Sequence, residues 1–599
     1  MSTLDGSDIH SSTYAELSQS ARSEIIEIQP DELARHLGGD LHVLDVRDFD
    51  ETTSGVIEGA LVMPRGRLEK LVETIALDHD ADVVLYCESG KRSALAARTL
   101  GSMGFLKVRS LAGGIEAWRE TGHPVLTGTI ELASPVQGGL QQSTSAVILS
   151  DWESIRSDYP ITTARIECTD GLSRPLIYLD HAATTHPPAT ALQAYLQFLG
   201  LEYSNVHRAT HSLARSATDR FEKAYETCAN FIGGTLDEGC VVFTANTTHA
   251  CDLVAHVVAH LPGKVVVTDL EHHSNDLPHR GRSEVVRIGL DSEMCLDMTA
   301  LEEVLRTEEV KLVAITGAAN VTGWMPPIHE IAELAHRHGA LICVDGAQLM
   351  AHAPVDVRPH DDPGHIDFIT AAGHKMYAPF GIGFLYGPRK LFDEAPPYLP
   401  GGGTAAKVES DSVEWLPSPD RHQGGTPNVA GVIGLASVID FLSGVGMERI
   451  REHEQRLLSR AWNGLSEMEG ITIYGPNSFE DRVGILPFNV DGVSDLLCSA
   501  VLGAEYAIAV RNGRFCAHVH ADALFAAQGG VTEESDVRPG AVRVSFGIFN
   551  NEHDVDRFLE AVRRVRDREW VGQYEIKGGD VDPKSAGRCA DAWMESAKS

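Results

Sequence analysis

Leu341-Ile342-Cys343-Val344-Asp345-Gly346-Ala347-Gln348 is a run of four apolar residues that stops on a carboxylate. Its length and apolar continuity predict a short strand buried on both faces, the kind found inside a parallel sheet. Similar runs recur upstream: Cys240-Val241-Val242-Phe243-Thr244, Lys264-Val265-Val266-Val267 and Lys311-Leu312-Val313-Ala314-Ile315, separated by helical stretches. Strand and helix in alternation predict a large, mostly parallel sheet covered on both faces. Ligands of such sheets collect outside the C-terminal strand ends, where Asp345 stands. Further on, Val555, Phe558, Leu559, Val562 and Val565 recur at helical spacing.

Composition narrows the function classes. Fifty Lys plus Arg against 85 Asp plus Glu leave a formal charge of −35 over 599 residues. That excludes a nucleic-acid binder working through a generally basic surface, because phosphate binding needs concentrated positive charge. Hydrophobic residues at 43% suffice for large cores, and 56 Gly with 27 Pro stay below the share that marks low-complexity chains. Ten cysteines without a Cys-x-x-Cys pair argue against a disulfide scaffold, a zinc site or an iron–sulfur cluster. No metal is therefore expected. Residues 1–10 have neither the basic nor the apolar region of a signal peptide, and apolar runs break before the ~18 residues a membrane span needs. The expectations are a cytoplasmic protein without membrane association. Along the chain, 1–22 is expected to be a flexible, Ser-rich arm and 23–127 a compact α/β domain. A Gly-, Ser- and Gln-rich linker is expected over 128–160, the large α/β domain over 161–570 and a polar tail over 571–599.

Within 23–127, Leu41-His42-Val43-Leu44-Asp45-Val46 and Asp82-Val83-Val84-Leu85-Tyr86 read as buried strands. The second runs into Cys87-Glu88-Ser89-Gly90-Lys91-Arg92-Ser93 ahead of a helix. Such a turn directs backbone N–H groups and the helix N-terminus at one atom; with Lys91 and Arg92 it stabilises an anionic sulfur. A buried strand-end cysteine before an ordinary helix is the plainer alternative. LDVRDFDETTSGVIEGALVMP (44–64), the C-x-x-G-x-R loop and LAGGIEAWRETGHPV (111–125) resemble a single rhodanese domain. The resemblance implies a persulfide on Cys87 framed by the loop Glu88, Ser89, Gly90, Lys91 and Arg92. Val56 departs from the family, which often has His there; the position reads as structural.

Four segments of the large domain belong together. Asp345 ends a buried strand; Gly373-His374-Lys375 follows the strand 367–370; Thr247-Thr248 leads into a helix over 250–260; and Glu271-His272-His273-Ser274-Asn275 follows the strand 265–268. Singly they are weak, since a Lys after a strand is usually a solvated charge and an Asp at a strand end usually a cap. Together they supply an amine for a Schiff base, a carboxylate to keep a pyridine nitrogen protonated, and a helix N-terminus for a phosphate. Those are the parts of a pyridoxal 5′-phosphate (PLP) site.

In family order over 161–570, YLDHAATT (178–185), NVHRATH (205–211), ANVTG (319–323), VDGAQ (344–348), GHKMYAPFGIGFLYG (373–387), GGTPN (424–428), VRNGRFCAH (510–518) and VRVSFGIFN (542–550) resemble class V PLP enzymes. The likeness is greatest to the cysteine desulfurase and selenocysteine lyase group. It implies a fold type I transferase, with a large mostly parallel sheet domain, a smaller C-terminal α/β subdomain, and a homodimer. It implies Lys375 as the Schiff-base lysine that also moves the Cα proton, Asp345 on the pyridinium nitrogen, Gln348 on the phenolic oxygen and His272 stacked on the ring. Thr247, Thr248 and His374 fall at the phosphate, joined by Thr426 of the partner subunit. Asn320, Arg511 and Arg543 fall at the substrate, with Arg543 gripping its carboxylate. Ala372 stands where the family commonly has a hydroxyl residue on the phosphate. Arg511-Asn512-Gly513-Arg514-Phe515-Cys516 places a thiol in a short basic loop that favours thiolate; in desulfurases this thiol attacks the substrate sulfur.

The implied function is a PLP-dependent cysteine desulfurase fused to a rhodanese sulfurtransferase. L-Cysteine would yield L-alanine and a Cys516 persulfide, with sulfur relayed to Cys87 and on to a thiol acceptor. Selenocysteine and thiosulfate are further candidate donors. The alternative is another class V reaction, epimerisation or C–S lysis of a sulfur-containing amino acid. The rhodanese domain would then be an independent thiosulfate sulfurtransferase or a sensing or docking module.

Overall fold

Apolar runs without alternation are what a sheet covered on both sides requires, and both large sheets of this chain are built that way. The computed structural model of the chain describes residues 14–37, 41–47, 51, 55–57, 59–63, 65, 68, 72, 79–125, 151–207, 210–529, 540–577 and 580–583. It divides into two units, Met1–Thr144 and Ser145–Ser599.

In the first unit five parallel strands lie in the order Ile26–Ile28, Lys107–Leu111, Asp82–Tyr86, Leu41–Asp45, Leu61–Val62. Val83 and Leu85 of the middle strand pack with Leu44, Ala96 and Leu100 on one face. Val84 and Tyr86 pack with Ile28, Ile115 and Trp118 on the other. The chain leaves this strand at Cys87 and enters the helix Lys91–Ser102. The expected flexible arm is corrected in its second half: Tyr14–Glu24 is a helix. Ala21 is buried, and Arg22 Nη2 donates to Ser89 O at 3.0 Å, which ties the helix to the Cys87 loop.

In the second unit seven strands lie in the order Val285–Ile288, Lys264–Thr268, Val310–Thr316, Leu341–Asp345, Phe368–Ala372, Gly383–Pro388, Gly239–Thr244. Gly383–Pro388 runs opposite to the other six strands, which are parallel to one another. Ile342 and Val344 enter one core with Val313 and Ile369, whereas Cys343 enters the other with Leu312, Ala314 and Phe368. Register sets Asp345 beside Thr316 and Thr370, at the C-terminal edge. The smaller subdomain is a four-stranded antiparallel sheet in the order Ile471–Ile473, Ile485–Val490, Ala541–Ser545, Arg511–Gly513. Helices Met447–Ser466, Asp495–Tyr506 and Glu552–Arg566 join it around a core that includes Leu457, Phe488, Val544 and Phe558. The helix Glu552–Arg566 opens on a capping box of Asn551 and Asp554, the local signal that starts it.

Two boundaries differ from expectation. Residues 128–150 of the linker lie outside the described residues, but 151–160 are folded. Asp151 caps the helix Trp152–Ser157, Ile155 and Tyr159 are fully buried in the large core, and Arg156 pairs with Asp554 at 2.8 Å. A six-residue helix is too short to show a periodic apolar face, so its composition reads as linker. The polar tail is also structured at its start. Tyr574–Lys577 and Asp580–Pro583 form an antiparallel hairpin, and Glu505 accepts from the Val571 and Gly572 amides and the Tyr574 hydroxyl.

Because Ile155 fills the core of the second unit, Ile155→Ala should destabilise that unit by about 2–4 kcal/mol, the usual cost of emptying a buried aliphatic position. Urea unfolding of the full chain measures it; a loss below about 0.5 kcal/mol, as at ordinary surface sites, would return 151–160 to the linker.

Candidate active site

The C-terminal edge of the seven-stranded sheet gathers the segments that the sequence singled out. Asp345 is 4% exposed, and its Oδ1 accepts from the Ala347 amide at 3.0 Å. Burial raises its pKa, while the Ala347 amide and the nearby Lys375 lower it. Lys375 sits in the single turn Gly373–Lys375 directly after the neighbouring strand Phe368–Ala372. Burial pushes its amine down to about 8, with Asp345 and Cys516 pulling up and Arg543 pushing down. A lysine so placed has a substantial free-amine fraction near neutral pH, which an exposed lysine does not. Gln348 is buried; its Nε2 donates to Ala182 O at 2.7 Å and its Oε1 has no partner.

The phosphate side is built from hydroxyls and a helix N-terminus. The helix begins at Thr247, earlier than the sequence predicted, so Thr247 and Thr248 occupy its first turn. Thr247 Oγ1 is buried without a partner. Thr248 Oγ1 lies 2.6 Å from Ser274 Oγ, and Ser274 also donates its amide to His272 Nδ1 at 3.1 Å. That amide fixes Nδ1 of His272 as the acceptor, so the neutral ring carries its proton on Nε2. Burial, then Lys375, holds His272 down at about 3 and therefore neutral. His374 lies 3.4 Å from Thr184 Oγ1 and is likewise held neutral, at about 4, by burial. Ala372 contributes no hydroxyl, and Thr247, Thr248 and Ser274 supply hydroxyls on this side instead. Thr426 is exposed in the segment before the helix Val429–Val445.

The substrate side comes from the smaller subdomain. Arg543, 3% exposed on the strand Ala541–Ser545, donates from Nη1 to Asn320 O at 2.7 Å. Its guanidinium is 3.7 Å from Asp180 and lies over the Phe515 ring at 4.7 Å. Burial presses its pKa down to about 10, leaving it charged at neutral pH. Arg511 pairs with the same Asp180 at 2.7 Å. Arg543 Nε and Asn320 Oδ1 are buried without partners. Asn320 Nδ2 donates to Phe515 O at 2.6 Å, and Cys516 O accepts from the His273 amide at 2.9 Å. These bonds stitch the thiol loop to both sides of the cleft. Phe515 and Cys516 have φ of +53° and +52°, two consecutive non-glycine residues in the left-handed region. Cys516 is the exposed one of the described cysteines. Asp180, which holds two arginines, and Ser274, which links Thr248 to His272, were not assigned roles from the sequence. Both lie inside motifs it had marked, YLDHAATT and EHHSN.

Cys87, in the other unit, is 1% exposed. Its Sγ accepts from the Ser93 amide at 3.4 Å and the Ser93 hydroxyl at 3.5 Å, and Ser110 Oγ donates to Ser93 Oγ at 2.9 Å. Ser93 lies one residue beyond the Glu88–Arg92 stretch expected to frame the sulfur. Arg92 pairs with Glu51 at 2.6 Å, Glu88 pairs with Arg47 at 3.1 Å, Lys91 is exposed, and Gly90 turns the chain at φ +78° into the helix. Gly114 must be glycine, since a Cβ there would meet Cys87 O at 2.3 Å.

The residues of the large site fit PLP. They offer a buried carboxylate, a depressed lysine, an unmet Gln348 oxygen, an unmet Thr247 hydroxyl and a helix N-terminus. Comparison with known proteins agrees. The aminotransferase class-V family model matches residues 177–558 and the rhodanese-like domain model residues 29–121. A cysteine desulfurase of Haloferax volcanii is 35% identical over 433 residues, covering 70% of this chain and 97% of that protein. One of Shigella sonnei is 34% identical over 423 residues, covering 69% and 98%. The apo structure of a cysteine desulfurase from Thermococcus onnurineus NA1 superposes with a TM-score of 0.62 at 32% identity, covering 69% of this chain and 98% of that one. Fold and site thus define a PLP-dependent enzyme of fold type I preceded by a rhodanese domain. The chain belongs to the aminotransferase class-V family.

Since the free amine is the nucleophile toward the cofactor's aldehyde, PLP uptake by the apoprotein should accelerate with rising pH and level off above about 8. Absorbance stopped-flow measures it; a rise continuing to about 10, the range of an exposed lysine, would show that Lys375 is not depressed.

Proposed function

We propose that the chain is a cysteine desulfurase that converts L-cysteine to L-alanine and leaves a persulfide on Cys516. The observation that carries this reading is the placement of an exposed thiol, in a strained loop, within electrostatic reach of both Lys375 and Arg543. Arg543 and Asn320 hold the substrate carboxylate, with Asp180 keeping Arg543 and Arg511 aligned. PLP, when bound, supplies the electron sink that makes the substrate Cα proton acidic. Lys375 takes that proton as a free amine. The Cys516 thiolate attacks Sγ, so that an S–S bond forms as the Cβ–Sγ bond breaks. The carbon fragment keeps the electron pair, is reprotonated and leaves as L-alanine. Selenocysteine, with a weaker carbon–chalcogen bond, fits the same site. Thr426 of the partner subunit completes the phosphate cup, which makes the working form a homodimer, and the cytoplasm is its compartment.

The rhodanese domain receives the sulfur on Cys87 and passes it to a thiol acceptor. One chain carrying both thiols gives the second an effective concentration that can approach millimolar, so the transfer need not wait for a diffusional encounter. Ser93, its hydroxyl held by Ser110, supplies amide and hydroxyl hydrogen bonds for a sulfur anion. Because Cys87 is 1% exposed, sulfur reaches it only if its surrounding loop opens to the donor persulfide.

Cys516→Ala should retain PLP and lose alanine formation by at least 100-fold, because nothing else attacks Sγ. Alanine release near the wild-type rate, or pyruvate with free sulfide, would favour an epimerase or lyase. Cys87→Ser should leave the first alanine-forming turnover intact and slow delivery of sulfur to an external thiol, with persulfide accumulating on Cys516. Intact-mass spectrometry after cysteine addition reads both. If thiosulfate loads wild-type Cys87 while cysteine never does, the relay is wrong and the domains serve separate sulfur sources.

A further inference from the structure

At the other edge of the seven-stranded sheet, two imidazoles and a carboxylate converge. Asp367 immediately precedes the strand Phe368–Ala372 and is 3% exposed; its Oδ2 accepts from the Ile342 amide at 2.9 Å. His336 Nε2 lies 2.9 Å from the same oxygen, and His365 Nε2 lies 3.4 Å from Oδ1. The two rings stack at 4.1 Å. Each ring turns its other nitrogen to a backbone carbonyl: His336 Nδ1 is 2.8 Å from Pro363 O, and His365 Nδ1 is 2.7 Å from Asp362 O. A carbonyl only accepts, so both Nδ1 atoms carry hydrogen, and both Nε2 atoms are left facing the Asp367 carboxylate. His365 Nε2 is buried without a hydrogen bond. The three donor atoms lie within 4.8 Å of one another, the one such group of His, Cys, Asp or Glu among the described residues.

We propose that His336, His365 and Asp367 bind one divalent transition-metal ion of the zinc type. Both Nε2 atoms and the carboxylate converge on one another, and a divalent cation can stand where shared protons otherwise would. Donation of Nδ1–H to a carbonyl is the arrangement that fixes the ring of a metal-bound histidine. Two imidazoles and a carboxylate select borderline ions such as Zn²⁺, Co²⁺ or Ni²⁺ over Mg²⁺ and Ca²⁺, which take all-oxygen sets, and over Cu⁺, which takes thiolates. His360, an exposed ring whose centroid is 4.5 Å from that of His365, lies beside the three donors. At Zn–N lengths of about 2.1 Å the donors would stand about 3.4 Å apart, and binding would turn the two stacked rings toward each other so that both Nε2 atoms meet one ion. Asp367 and Lys375 flank the same strand at opposite ends, so the ion serves the fold rather than the chemistry. It pins the last turn of the helix Ile328–Arg337 and the 360–367 loop to the start of the sheet. No spacing motif announces these donors, because they come from a helix end, a loop and a strand start.

The holoenzyme, stripped with EDTA and titrated with Co²⁺, tests this. Expected are one equivalent of Co²⁺ with visible d–d bands and no thiolate charge-transfer band, displacement by Zn²⁺, and a rise in Tm of several degrees. His336→Gln and His365→Gln should each lose the bands and the Tm rise while retaining PLP absorbance, and Cys516→Ser should keep both. Co²⁺ binding that persists in the two histidine variants, that vanishes in Cys516→Ser, or that is absent from the wild type would overturn the proposal. If both histidine variants fail to fold, X-ray absorption of the Zn²⁺-loaded wild type decides: an imidazole and oxygen shell supports the site, and a sulfur shell refutes it.

Discussion

A carboxylate buried at the end of a central strand cannot stand without positive charge, and the large domain is arranged around that requirement. Asp345 is nearly inaccessible, and its Oδ1 accepts from the Ala347 amide two residues on. The amine that faces it follows the adjacent parallel strand, so sheet order alone brings Lys375 alongside. The segments after Gly239–Thr244 and Lys264–Thr268 emerge at the same edge and bring Thr247 and His272. A protonated pyridine nitrogen of PLP would find its partner in the same carboxylate. Cofactor retention and the integrity of this sheet edge are therefore one electrostatic problem.

What could be read from the sequence follows from how each feature is encoded. Strands 240–244, 341–345 and 368–372 were legible because they are covered on both faces, and unbroken apolar runs leave a clear trace. Lys375, Asp345 and Cys516 were legible because they sit in short motifs at strand or loop ends. Asp180 was not, since its importance lies in bridging Arg511 and Arg543, which lie far along the chain on another sheet. Ser93 was passed over for Arg92 because charge suggested the anion's partner, whereas the geometry hands Cys87 a neutral amide and hydroxyl and pairs Arg92 with Glu51. Helix 152–157 and the 574–583 hairpin escaped because each is too short for periodicity; the first is held by buried Ile155 and the Arg156–Asp554 pair, the approach to the second by Glu505.

The two candidate thiols sit in opposite settings. Cys516 is open to solvent on backbone that L residues seldom adopt, which keeps the sulfur forward of the loop and exposes it to attack or transfer. Cys87 is enclosed, with donors fixed by Ser93 and Ser110 and with glycine at 114 to let the chain pass. A forward thiol suits making a persulfide, and an enclosed one suits keeping it.

Arg543 touches, in one side chain, the Asn320 carbonyl, Asp180 and the face of Phe515, the residue next to the thiol. Any ligand that claims this guanidinium must draw on charge that also steadies the Cys516 loop. A change at Arg543 would therefore disturb Asp180, the Asn320 carbonyl and the ring of Phe515 together, so the buried cation and the thiol loop are mechanically one part.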